Sequence, residues 1–250
     1  MGNDPKQGKI RNMGYYLPEA FMFYSLKKEY LTPVLFITVL LTGFVFTCLP
    51  FPEKSADIKY FLVQFLFFFV SDICFSVYLF SYLKELKGES CLLRSCLLLI
   101  GRKLFAIFCL SFIYFILFSM AASVFFLFNT ILLIAFMIIP LIALYLMFML
   151  NICYILDQNY GVLESFRESK DTVDGYRTQV FRIFFLFIYI LAISAIFIFL
   201  IAGLSKNELI FPVILYFVYA VIRFMLQRFK ALLYYDIEYG RKEKSEENGL

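Results

Sequence analysis

The chain has 250 residues, of which 62% are apolar and 17% charged, with a net charge of +4 and a mean hydropathy of +0.83. A soluble domain needs a polar surface that this composition does not supply, so lipid is the expected solvent for most of the chain. Histidine is absent, which removes the commonest general base, the commonest proton shuttle near neutral pH and the commonest zinc ligand. Tryptophan is absent as well, so an interfacial aromatic belt has to be built from tyrosine.

Residues 1–13 read as a cytoplasmic tail. Lys6 stands where a myristoylation signal needs Ser or Thr, and no cleavable leader is visible, so the first apolar segment is expected to stay in the mature protein. About 20 apolar residues cross a bilayer as a helix. The stretches 31–49 and 60–83 reach that length and are parted by a polar turn holding Pro50, Pro52, Glu53, Lys54 and Asp57. No residue from Phe105 to Leu156 is charged. As one helix that stretch would be about 78 Å long, so it must fold back. Asn129 and Thr130 are the expected turn, giving spans 105–128 and 131–156, the latter bent by Pro140. Spans 183–204 and 209–229 complete six, and 241–250 mixes both charge signs as a disordered cytoplasmic tail.

Of the 23 lysines and arginines, 20 count with one set of connections, Arg223 and Arg228 of span 209–229 included; only Lys54, Lys59 and Lys206 count with the other. Basic residues stay on the cytoplasmic side, so both termini and the two long connections are expected there, in a multi-pass protein of the cell membrane. The six cysteines, Cys48, Cys74, Cys91, Cys96, Cys109 and Cys153, form no CxxC pair and read as packing residues.

Gly88, Gly161 and Gly240 each follow an aromatic and aliphatic run where a span returns to the cytoplasm, and Gly14 precedes them at a similar interval. Such glycines suit the left-handed residue that closes many helices. The implied unit is a short cytoplasmic amphipathic helix, a span out and a span back, repeated three times. The short helices are expected at 17–30, 90–100 and 162–173. The expected fold is therefore all-α: one transmembrane domain over 14–240, a polytopic bundle of six transmembrane helices with three cytoplasmic amphipathic helices and an internal threefold repeat.

Two stretches, GVLESFRESKDTVDGYRTQVFRIFFLFI from Gly161 and RFKALLYYDIEYGRK from Arg228, resemble a broad group of bacterial multi-helix integral membrane proteins. That group includes the membrane domain fused to some glycerophosphodiester phosphodiesterases. The matching positions are Gly161, Glu164, Ser165 or Phe166, Ser169 and Gly175, then Leu233, Tyr234, Tyr235 and Asp236. The resemblance implies a helical membrane scaffold. It does not imply phosphodiesterase activity, because in the fused relatives catalysis belongs to a soluble domain with histidines, and this chain has neither.

Asp72 is the one acidic residue inside an expected span. At mid-bilayer it costs about 2.5–3.5 kcal/mol unless paired or neutralised. Arg223 is the expected partner, since both stand at nearly the same distance before their closing glycines. Asn151 and Lys230 stand ten residues before Gly161 and Gly240, with Tyr78 at the corresponding place in the first unit, which suggests a polar layer near the cytoplasmic end. Asp72 then has two readings, a packing ion pair or a protonation or cation site of a transporter.

No phosphate-binding loop, zinc-protease helix, serine elbow or kinase set is present. No metal, cofactor or enzymatic activity is expected. The positive charge is explained by topology and anionic lipid, so nucleic acid is not an expected partner. The favoured reading is a non-catalytic membrane scaffold or accessory protein engaging the bilayer and a membrane protein or peptide, as an immunity protein would. The alternative is a small transporter or lipid-handling protein with a cytoplasm-facing polar cavity.

Overall fold

The computed structural model describes residues 10–11, 13–27, 30–48, 58–89, 93–127, 143–176, 178–182, 184–185, 189, 196 and 210–240. Among these, every regular element is a helix: α1 Met13–Phe21, α2 Leu31–Cys48, α3 Ile58–Leu86, α4 Leu93–Arg102, α5 Leu104–Leu127, α6 Asn151–Asp157, α7 Val162–Gly175 and α8 Ile210–Glu238. Helical residues from Ala143 lead into α6. The expected turn at Asn129 and Thr130, Pro140, most of span 183–204 and the tail 241–250 lie outside the described residues.

Phe61–Leu86, within α3, is long and apolar enough to cross a membrane. Arg94–Arg102 and Leu104–Leu117 meet at a 66° bend and, taken together, form a second candidate. Leu31–Phe46 and Ala143–Asp157 are apolar but shorter. The six expected spans thus correspond, among the described residues, to one helix of full spanning character, or two. The bend at Lys103 separates a short helix from an apolar one, where the sequence places an amphipathic helix before span 105–128.

α3 is central, packing against α2, α5, α6 and α8. Its seam with α5 is phenylalanine on phenylalanine: Phe61 meets Phe115 at 4.6 Å and Phe65 meets Phe108 at 5.3 Å. Edge-on geometry sets the positive rim of one ring against the negative face of the next. α2 approaches α8 closely because Gly43 has no side chain; a Cβ there would stand 2.5 Å from the Tyr216 ring.

The short helices share one packing rule. α4 packs on α3, α7 on α6, and α1 on α8. Each buries a stripe at i and i+4: Tyr16 and Ala20, Cys96 and Ile100, Ser165 and Ser169 with Val173. Ala20, Cys96, Ser165 and Ser169 are the small members of these stripes, beside the larger Tyr16, Ile100 and Val173, while Leu97, Leu98 and Leu163 point outward. Since α1 docks on the last helix, the order is cyclic.

Several expectations need correction. The first short helix is Met13–Phe21 rather than 17–30. Beyond it the backbone turns because its carbonyls are taken elsewhere: the Tyr78 hydroxyl donates to Phe23 O at 2.7 Å, and Arg228 donates to Ser25 O at 3.3 Å. The second and third are Leu93–Arg102 and Val162–Gly175. α8 runs well past residue 229, to Glu238.

Among the three closing glycines only Gly88 is left-handed, with φ 72°. There Glu89 N–H reaches Lys84 O at 2.9 Å and Gly88 N–H reaches Glu85 O at 3.0 Å, a paired closure that satisfies carbonyls the helix end would orphan. Gly161 instead opens α7, its N–H held by the Glu164 carboxylate at 3.1 Å; the left-handed residue before it is Asn159. Asparagine is one of the few residues besides glycine that visit that region. Gly240 shows no positive φ. Of the cysteines, Cys74 and Cys153 are free and buried, as packing residues are. Cys96 is disulfide-bonded, so packing is not its whole role.

Candidate functional site

Along α8, Tyr219, Arg223, Gln227, Lys230, Tyr234 and Glu238 recur at spacings of three and four. That spacing places them on one helix face. The face looks onto polar residues of α3, α5 and the stretch from Ala143 through α6.

Mid-helix, Asp72 and Arg223 form an ion pair, and Ser111 Oγ donates to the second Asp72 oxygen at 2.8 Å. The guanidinium also lies 5.0 Å from the Phe75 ring centroid and 5.9 Å from that of Tyr219. Favourable cation–π contact adds to the pairing. The side chains remain 18% and 25% exposed for Asp72 and Arg223, so neither is fully enclosed.

The cluster continues along α8 on both sides of Arg223. The phenols of Tyr219, Tyr145 and Tyr114 lie within electrostatic reach of Arg223. The Lys230 ammonium stands 5.1 Å from the Tyr145 ring centroid, and the Tyr114 hydroxyl donates to Phe148 O at 2.9 Å. Asn151 faces Tyr114 but makes no bond of good geometry: both its amide atoms are buried and unpartnered. The Tyr219 and Ser71 hydroxyls and Gln227 Oε1 are likewise buried without partners. Each such group forfeits about 1–3 kcal/mol relative to a bonded one.

A second network gathers around the C-terminal part of α8, the ends of α3 and α6, and α1; within it Arg228 Nε is buried without a partner. Asp157 pairs with Lys87 and accepts from the hydroxyls of Tyr234 at 2.9 Å and Tyr239 at 2.6 Å. Tyr154 donates to Glu238 and meets Thr172 Oγ1 at 2.6 Å. Arg228 pairs with Glu19 at 3.1 Å and lies over the Tyr82 ring at 4.2 Å. Tyr16 donates to Asp236 at 2.7 Å, and Arg11 reaches the other oxygen of that carboxylate at 3.4 Å. Burial, and then the Asp236 acceptor and its charge, push ionisation of the Tyr16 phenol above its ordinary value. Burial and Asp157 do the same to Tyr239.

The structure therefore brings Asp72 and Arg223 into contact and places Asn151 and Lys230 beside tyrosines of the same cluster. Tyr78 does not join that layer, because its hydroxyl is spent on the Phe23 carbonyl. The sequence reading missed Ser111, Tyr114, Tyr145, Tyr219 and Gln227, and all of the Asp157 network. The available signal was the polar recurrence along α8. Ser165 and Ser169 of α7 and Leu233, Tyr234 and Asp236 of α8 are buried; Ser169 takes Leu150 N–H at 3.2 Å and donates to Met147 O at 3.0 Å. Ser169 thereby holds α7 to the preceding helix. Among the described residues, no group of three or more acidic or cysteine side chains is arranged to hold a metal ion. No family model matches the chain, and neither the curated proteins nor the solved structures offer a match.

Proposed function

We propose that this chain is a non-catalytic integral membrane protein of the bacterial cytoplasmic membrane, with six spans and cytoplasmic termini, that handles a small polar or lipid ligand through a core reached from the cytoplasm. The carrying observation is the polar face of α8, which runs from Tyr219 beside the ion pair to Glu238 in the cytoplasmic network. Around it stand groups that the chain leaves without partners, Asn151 above all. A bundle held only by packing gains nothing from such groups, since an apolar side chain of similar shape serves better.

Lipid as solvent is supported by the outer surface. Apolar side chains stand outward along α2, α3, α5 and α8, with Phe105 76% exposed. In water an apolar surface of that extent would drive association.

The test is to purify the full chain in mild detergent and identify small molecules that remain bound, comparing wild type with N151L and Q227L. The reading expects a ligand that wild type retains and both variants lose. A second reading, the scaffold or accessory protein that binds a membrane protein or peptide, is favoured by the densely bonded network around Asp157 and by outward groups such as Leu163, 84% exposed. Retention of a protein partner and no small molecule would decide for it.

A further inference from the structure

Among the described residues, the cations that reach into this bundle pair with carboxylates, several of these groups partly exposed: Asp72 with Arg223, Asp157 with Lys87, Glu19 with Arg228, Asp236 with Arg11, the last 46% exposed. Lys230 is the exception. It is 6% exposed, yet among the described residues no carboxylate pairs with it. Its ammonium contacts Tyr145, whose phenol also lies within reach of Arg223. Across the same cluster Asn151, 1% exposed, presents an amide N–H₂ and an amide oxygen with nothing bonded to either. Gln227, between Arg223 and Lys230 on their helix face, adds a buried unpartnered oxygen.

The charges sum to one excess positive, since Asp72 neutralises only one of Arg223 and Lys230. The site therefore calls for a single negative charge. The amides sharpen the requirement. The Asn151 N–H₂ and the Lys230 ammonium need an acceptor, while the Asn151 and Gln227 oxygens need a donor. One group offers both at once: a phosphate monoester or inorganic phosphate with one proton retained, whose P–O⁻ oxygens accept and whose P–OH donates. A fully ionised sulfate or a quaternary ammonium headgroup would leave the amide oxygens unpaired.

We propose that Lys230, Asn151, Gln227 and Tyr145 form a binding site for a singly charged phosphate, presented by a lipid headgroup or by a soluble ion. This deepens the ligand-handling reading and rests on it. Lys230 and Asn151 are the recognition residues; the Asp72–Arg223 pair sets the charge balance above them.

The full chain in detergent micelles is titrated with dioctanoyl phosphatidic acid, dioctanoyl phosphatidylcholine and inorganic phosphate, and the melting temperature is followed. Phosphatidic acid or phosphate should raise the melting temperature by several degrees in a saturable way; a shift with only one of them assigns the source. K230M and N151L should each weaken that binding at least tenfold. Without ligand, K230M should melt no lower than wild type, because it removes an unpaired buried cation. Equal binding of phosphatidylcholine, with N151L still weakening it, overturns phosphate recognition but leaves ligand handling standing. If no probe shifts wild type and K230M melts well below it, Lys230 is structural and both readings fall.

Discussion

The Tyr16 hydroxyl donates to the Asp236 carboxylate at 2.7 Å across 220 residues of chain, fastening the first helix to the last. This contact closes the cyclic order in which α4 packs on α3, α7 on α6 and α1 on α8. Replacing Tyr16 by Phe removes one donor from a buried carboxylate and leaves Asp236 its Arg11 pairing at 3.4 Å. A loss of about 1.5–3 kcal/mol is expected, the range for hydrogen bonds to charged groups. The pH dependence carries the same signature. The phenol ordinarily ionises at 10.0 and in the folded chain ionises higher, through burial and Asp236. Above pH 10 the unfolded chain therefore releases this proton first. The Tyr16 contribution is complete below that pH and is lost as pH climbs toward the folded value. Melting curves between pH 8 and about 11 should fall more steeply for wild type than for Y16F; parallel curves would reject the assignment.

Breaking the Asp72–Arg223 pair strands a charge among phenylalanines. D72L and R223M should each lower stability by about 3–5 kcal/mol, whereas the two together should recover most of that loss. Detergent melting and membrane abundance of the single and double variants give the coupling energy. A double variant as poor as the worse single one would show that each residue acts through other partners.

The Gly43 position is a steric statement. A methyl group there meets the root of the Tyr216 ring, with Cγ and Cδ1 both 2.5 Å away, so a side-chain rotation about the far end gives no relief. G43A should destabilise by about 1–3 kcal/mol. In a Y216A background the same change should be almost neutral, and additive effects would place the two helices farther apart than described.

Sidedness follows from the basic residues. A tag inserted after Asn129 should be reachable only from outside intact cells, and one at the C-terminus only after permeabilisation. An Asn129 tag reachable from the cytosol would remove the six-span arrangement and every functional inference built on it.

The all-helical class was legible in composition alone, because a charge-free run from Phe105 to Leu156 and 62% apolar residues favour helices, which satisfy their backbone hydrogen bonds within one segment. The offset of Asp72 and Arg223 from their following glycines was enough to suggest their pairing, since helix rise converts residue number into depth. Helix closure was legible only at Gly88. At Gly161 the sequence could not tell an ending from a beginning, and Glu164 three residues on made it a start. What only the tertiary structure decided is which polar groups find partners. Tyr78 and Tyr145 look alike in the chain, yet one is spent on a backbone carbonyl and the other faces Lys230. That difference depends on neighbours brought together from distant helices, and the local sequence carries no record of them.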